Sequence, residues 1–418
     1  MFFASDDVKY LMCGLFNSNV AALFISVMSP TLDFSAGSMA NMPLAEQIEI
    51  RVGKQVRECS MKAIGIARAD WDAFERSWDF QSLPLLTAPS DPTPTLESRY
   101  ASWITQNRDT IAEMKRLEEE NNRIFIDAYG LQHELTPDVP IEQITLTVNP
   151  AYRYGGDFTE EEQWTRFRRD SMEELVSYVI GCMMGRYSLD EPGLIYAHAG
   201  NVGFDPTRYK TFPADADGIV PITDEFWFED DAANRVREFL RAVWGADTLD
   251  ENMAWLAESL GTKANETPDE TIRRYLADKF FKDHLQTYKK RPIYWLFSSG
   301  KQGAFQALVY LHRYHEGTLA RLRAEYVVPL TGKMQARIEM LEKDATAASS
   351  TAARNKLNKQ IEKLRKKHVE LLAYDEKLRH YADMRINLDL DDGVKVNYGK
   401  FGDLLAEVKA VTGGASDD

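Results

Sequence analysis

A mostly α-helical chain with small β elements, class α+β, is what this sequence predicts, and three observations carry that expectation. Apolar residues recur at three- and four-residue spacings through most of the 418 positions. Strand-like runs are few and short. Helix starts are written out twice, at Thr159-Glu160-Glu161-Glu162 and at Thr267-Pro268-Asp269-Glu270. In each, a Thr caps the helix while an acid three residues on reaches back to the Thr amide. The expected architecture is a helical, multi-lobed region with a coiled-coil hairpin. It includes no complete Rossmann domain, because no strand runs through a glycine loop into a helix.

Composition narrows the classes further. Cys13, Cys59 and Cys182 lie far apart and form no CxxC pair, which points to a reducing cytoplasm and away from disulfide frames and zinc knuckles. A formal charge of −15 disfavours indiscriminate coating of nucleic acid. Binding, however, follows the local patch and not the sum. Tyr10 to Met28 is largely apolar, yet Asp6 and Asp7 stand where a signal peptide would be basic. Asn17-Ser18-Asn19 breaks the run, so it reads as two short core helices of a soluble protein and not as a membrane span.

Taken in order, residues 1–44 read as the close of a domain, with a strand and turn at Thr31–Gly37. Residues 45–135 form a helical spacer. Its first helix runs through Ile48, Val52, Val56 and Cys59, with Trp71, Phe74, Trp78 and Phe80 as bulky anchors near its close. A proline-rich linker (Leu83–Pro94) precedes a second helix, Leu96 to about Gly130, whose apolar face holds Ile104, Ile111, Met114 and Leu117. Residues 136–262 read as an α+β middle domain with a short strand at Ile144, Leu146 and Val148. Its stretch 213–260 carries twelve Asp and Glu against three Arg. Residues 263–330 form a basic, aromatic α/β segment, entered by a helix with Ile272, Leu276, Phe280 and Leu285 on one side. Residues 331–385 predict the coiled-coil hairpin, with Met334, Ile338 and Leu341 on one arm and Leu357, Ile361, Leu364, His368 and Leu371 on the other. The second arm is basic, with seven Lys or Arg and two Glu in 351–370. Residues 386–418 read as a β-hairpin turning at Asp391-Asp392-Gly393, then a last helix.

The most informative chemistry lies at 289–314, KKRPIYWLFSSGKQGAFQALVYLHRY. Lys289, Lys290 and Arg291 lead into a short aromatic strand, Lys301 sits in a small polar turn, and Arg313 follows a second apolar run. Cations, backbone donors and aromatic faces suit a surface that holds phosphates and stacks on bases. A buried hairpin with cations at its edges uses the same residues. Lys301 is not a phosphate-loop lysine, since Trp295 and Gln302 occupy the places of the loop's first Gly and its Ser or Thr. His312 and His315 lack a convergent carboxylate or thiol, so no metal site is expected, and no catalytic residue is assigned. Asn149-Pro150-Ala151-Tyr152 resembles the Asn-Pro-Pro-Tyr loop of amino-methyltransferases but lacks its second proline and reads as a turn.

Several stretches together resemble a known family: Ile144–Gly156, Glu173–Tyr187, the segment 289–314, Leu378–Met384 and Leu388–Phe401. The chain is similar to the C-terminal half of PglX, the adenine-specific DNA methyltransferases of type 1 BREX phage-defence systems. The beginning, through Asn17, Pro30–Phe34 and Met42-Pro43-Leu44, also resembles the closing part of a target recognition region. The resemblance implies double-stranded DNA and other BREX proteins as partners, and S-adenosylmethionine as the cofactor of the full-length enzyme. The family's cofactor glycine motif and its Asn-Pro-Pro-Tyr loop do not occur in these 418 residues. The expectation is therefore a fragment, split gene product or truncated frame, inactive alone, that a separate N-terminal methyltransferase portion would complete. Lys289, Lys290, Arg291, Lys301 and Arg313 are the expected DNA contacts. The alternative is a non-catalytic specificity or scaffold subunit that binds other defence proteins, with the apolar start at Met1–Met28 as its docking surface.

Overall fold

The structure, a computed structural model, describes residues 6–28, 36–87 and 94–413. It is mostly helical with one small antiparallel sheet, as the periodicities predict. There are two compact units, the first built mainly from residues 6–79 and 98–167, the second mainly from 80–86 and 168–413.

Helices α1 (Asp6–Phe16) and α2 (Asn19–Met28) open the first unit, followed by α3 (Ala36–Ala40) and the long α4 (Ile48–Asp72). Then come α5 (Pro84–Thr87), α6 (Leu96–Tyr129) and α7 (Pro150–Tyr154). Leu11, Leu15, Val20 and Ala21 share one apolar core with Ile48, Val56, Ile124 and Phe125. The two expected core helices are thus present, and their inner faces are packed within this unit. The break between them is satisfied by protein. Asn121 Nδ2 donates to Gly14 O at 2.8 Å, and Asn19 N donates to Asn122 Oδ1 at 2.9 Å. Gly14 is required there, because a Cβ would lie 2.5 Å from Val56 Cγ1. No single described helix is long and apolar enough to cross a membrane; the α1–α2 pair, bent by 70°, reaches that length and composition only jointly.

Two expectations in this region are corrected, and a third falls largely outside the described residues. Of the strand and turn at Thr31–Gly37, residues 31–35 lie outside the described residues, and Ala36 onward is helical. Ile144, Leu146 and Val148 are buried but form no strand. The Asp70 carboxylate accepts from Thr147 N at 2.7 Å and Val148 N at 3.0 Å, doing what a partner strand would otherwise do. Of the four bulky anchors, Phe74 and Phe80 are buried, but Trp71 is 51% and Trp78 fully exposed. The two indoles line a shallow dent of about 430 Å³ with Ile64, Arg68 and Asp72. The proline-rich linker contributes the helical turn α5, and its residues 88–93 lie outside the described set.

Helix α8 (Glu160–Met183) begins on the expected box: Thr159 N donates to Glu162 Oε2 at 2.8 Å and Glu162 N donates to Thr159 Oγ1 at 3.3 Å. In the second unit follow β1 (Ile219–Ile222), α9 (Ala232–Trp244), α10 (Leu249–Leu260) and α11 (Pro268–Tyr275), the last with its complete capping box. A π-helical turn (Leu276–Phe280) joins α11 to α12 (Phe281–Thr287), ahead of β2 (Tyr294–Ser298) and β3 (Gln306–Tyr310). The sheet order is β1-β3-β2, all antiparallel, with Tyr294 opposite Tyr310 and Phe297 opposite Ala307. Next come α13 (Thr318–Arg321), α14 (Val328–Ala347) and α15 (Thr351–Asp383). The expected helical hairpin is α14 and α15, meeting along Met334, Ile338, Leu341, Ile361, Leu364 and Leu371, all buried.

The C-terminal β-hairpin expected at 386–398 is replaced by helical structure, a 3₁₀ turn at Leu390–Asp392 and α16 (Gly393–Gly399), ahead of α17 (Val408–Thr412). Polar side chains decide this locally. Asp389 accepts from Asp391 N at 3.0 Å, and Asn397 Nδ2 donates to Gly393 O at 3.0 Å. These bonds close helical turns that a ladder would have to open.

Candidate nucleic-acid interface

The segment 284–314 is a buried hairpin with a cationic rim. Tyr294, Trp295 and Phe297 are all 0% exposed, as are Ala307 and Tyr310. Trp295 packs edge-on against Tyr398 and Phe401, and Phe297 edge-on against Phe401. Ala406 N donates to Leu296 O at 2.8 Å, covering part of the β2 edge. Burial of such rings contributes roughly 1.5–3 kcal/mol each. None presents a face on which a base could stack, so the aromatic half of the sequence reading is a core and not a platform.

The cations separate into three environments. Lys289, Lys290 and Arg291 are exposed, and no carboxylate pairs with them among the described residues. The backbone there is unusual: Lys289 (φ 49°) and Lys290 (φ 61°) are both left-handed, which costs non-glycine residues about 1 kcal/mol or more each. The turn is held by Lys290 N donating to Leu285 O at 2.7 Å and Arg291 N donating to Tyr288 O at 2.9 Å. Beneath it lies His284, buried, whose Nε2 accepts from Ile293 N at 3.1 Å and Tyr294 N at 3.2 Å. An imidazolium has no lone pair for either bond, so His284 is the neutral Nδ1–H tautomer. Burial, with the Arg186 charge adding to it, pushes its pKa down to about 3.

Lys301 is exposed too, but its turn is occupied from inside. Glu370 of α15 accepts from Ser299 Oγ at 2.7 Å, Gln302 N at 2.7 Å and Ala304 N at 3.1 Å. The donors that could cradle a phosphate are already bound to a carboxylate, which leaves Lys301 its side chain alone.

Arg313 is a correction. It is 0% exposed, with Nη1 donating to Asp215 O at 2.6 Å, Nη2 to Ala216 O at 2.8 Å and Nε to Asn201 Oδ1 at 3.0 Å. Its guanidinium lies 3.8 Å over the Phe204 ring. This arginine ties two loops, around Asn201–Phe204 and Asp215–Ala216, to the end of β3 and cannot reach a phosphate. Nothing in the sequence distinguishes it from the exposed cations some twenty residues earlier, except that it comes shortly after the apolar run Ala307–Leu311.

Asn149 is likewise committed to the fold. It caps α7, accepting from Ala151 N at 3.2 Å and donating to Ile141 O and Ile144 O, both at 2.8 Å. The residue is 1% exposed and both its amide hydrogens are donated within the chain, so it is sealed from an exocyclic amine. His312 is half-buried, pushed down to about 4 by burial and then by Arg186, while His315 Nδ1 accepts from Gly317 N at 3.1 Å. Among the described residues no group of three His, Cys, Asp or Glu is placed to hold a metal ion. Among the described residues the strands are antiparallel, and none leads through a glycine turn into a helix.

Comparison with known proteins gives these surfaces a context. The chain is 46% identical over 423 residues to the adenine-specific methyltransferase BrxX of Escherichia coli O9:H4 (strain HS), covering 99% of the chain and 34% of that protein. It is 41% identical over 408 residues to the adenine-specific methyltransferase PglX of Lacticaseibacillus casei (strain Zhang), covering 95% of the chain and 32% of that protein. It thus spans about a third of the length of the curated relatives it matches. No protein-family model matches the chain.

Proposed function

We propose that this chain supplies the DNA-recognition and partner-docking, C-terminal portion of an S-adenosylmethionine-dependent adenine-N6 DNA methyltransferase. It would act in the cytoplasm, with other BREX proteins, in defence against phage. The observation that carries the reading is the identity to BrxX along nearly the whole chain. In this reading Lys289, Lys290, Arg291 and Lys301 touch phosphate, while cofactor binding and methyl transfer reside in sequence other than these 418 residues. Methylation of duplex by this chain alone would contradict that division of labour.

The test is a duplex-binding titration at several salt concentrations. A DNA-contacting chain binds with a steep inverse salt dependence. Replacing Lys289, Lys290 and Arg291 together with Gln is expected to weaken binding about equally for unrelated sequences and to reduce the salt slope by up to about 3. Unchanged affinity would remove the triplet from the interface. The dent beside Trp71 and Trp78 supports the second reading, a scaffold subunit that binds defence proteins and not DNA, since large exposed indoles are typical anchors of protein interfaces. That reading predicts no duplex binding at any salt.

A further inference from the structure

Lys356, Lys359, Lys363 and Lys366 follow one another along α15 at intervals of three, four and three residues, which places them in one row. All four are exposed, and the row lies away from the side on which Ile361, Leu364 and Leu371 pack against α14. It extends over about 15 Å, from the rise of 1.5 Å per residue. Lys363 Nζ lies 3.5 Å from Asp224 Oδ2 and Lys366 pairs with Glu362 at 2.8 Å; Lys356 and Lys359 have no acidic partner among the described residues. Exposed pairs of this kind are weak and exchange readily. The next position of the row is Glu370, whose carboxylate is fixed in the β2–β3 turn. That contact brings the turn, and with it the exposed Lys301, to the lower end of the lysine row.

We propose that Lys356, Lys359, Lys363 and Lys366, continued by Lys301, form a track for the sugar-phosphate backbone of duplex DNA. This rests on the DNA-binding reading above and names a surface for it separate from the 289–291 turn. Scattered lysines on a helix need no ligand to explain them. Here four stand in a straight row containing no acid, on a chain of net charge −15. The end of the row is pinned by the one acid that follows. A line of evenly spaced point charges on flexible stems matches a linear polyanion and suits contacts that ignore sequence.

The experiment uses the full chain and fluorescence anisotropy with unrelated duplexes of equal length, from low to moderate salt. A variant with all four lysines changed to Gln is expected to bind at least about tenfold more weakly to every duplex and to lose about 3 units of salt slope. Two controls accompany it. Lys343→Gln with Arg354→Gln neutralises one cation on each arm of the hairpin outside the row and should stay within about twofold of wild type. The four-fold Lys→Arg variant should retain affinity and slope. If wild type binds duplex and the Gln variant matches it in affinity and slope, the track is overturned while the DNA reading stands. If wild type binds no duplex, both fall. Loss of binding to polyglutamate or anionic vesicles, with duplex binding intact, would assign the row to an acidic protein or a lipid surface and overturn the proposal.

Discussion

At the residue scale, the decisive contrast is between cations that look alike in sequence. Lys290 and Arg313 both flank the aromatic strands, yet one is exposed and the other is 0% exposed and bonded to two carbonyls and an amide. Burial is a property of the tertiary fold, so the exposed triplet was legible as basic but not as distinct from the structural arginine. His284 was not legible at all, because a lone histidine on an apolar helix face carries no signal of the two amides it serves. Its neutrality gives a pH dependence. The folded pKa lies near 3 and the unfolded value near 6.5, so the stability it contributes is present above about pH 6.5 and is lost as pH falls toward 3. In His284→Gln the side-chain carbonyl can still accept from Ile293 N or Tyr294 N without titrating. Thermal unfolding from pH 7 to pH 4.5 should therefore show a smaller loss for the variant than for wild type. Parallel curves would mean that His284 does not govern this acid sensitivity.

At the scale of elements, helices were read better than strands. A capping box is a local device, so Thr159 and Thr267 could be read without knowing the fold. Strands depend on what lies beside them. Ile144–Val148 has the alternation of a strand but finds Asp70 in place of a neighbour, and Val394–Val396 is drawn into helix by Asn397. Among the described residues, only the 294–310 hairpin meets both a third strand and two covered faces. The contact that most depends on remote sequence is Glu370 in the β2–β3 turn, some seventy residues from the donors it accepts from. Glu370→Ala removes three accepted bonds and leaves two amides to find water. The expected cost is about 1–3 kcal/mol, measured by chemical denaturation. Gly300, at φ 135° and with its missing Cβ 2.9 Å from the same carboxylate, belongs to this joint. A Glu370→Ala variant as stable as wild type would show that the turn is held by the sheet alone.

At the scale of the whole molecule, the α+β class and the helical hairpin followed from periodicity, and the relationship to named methyltransferases followed from long matching stretches. Which faces stay open did not follow. The tryptophans near residue 75 looked like core because large indoles usually are; Trp78 shows the reverse. The chain has eight tryptophans, among them Trp78 fully exposed and Trp295 at 0%. An indole wholly in water emits to the red and is open to quenching by acrylamide, while a sealed one is neither. The molecule therefore carries its own optical reporter of docking. A protein partner seated over residues 64–79 should blue-shift the emission and protect it from acrylamide. Duplex DNA lying along the α15 lysines should leave this signal unchanged.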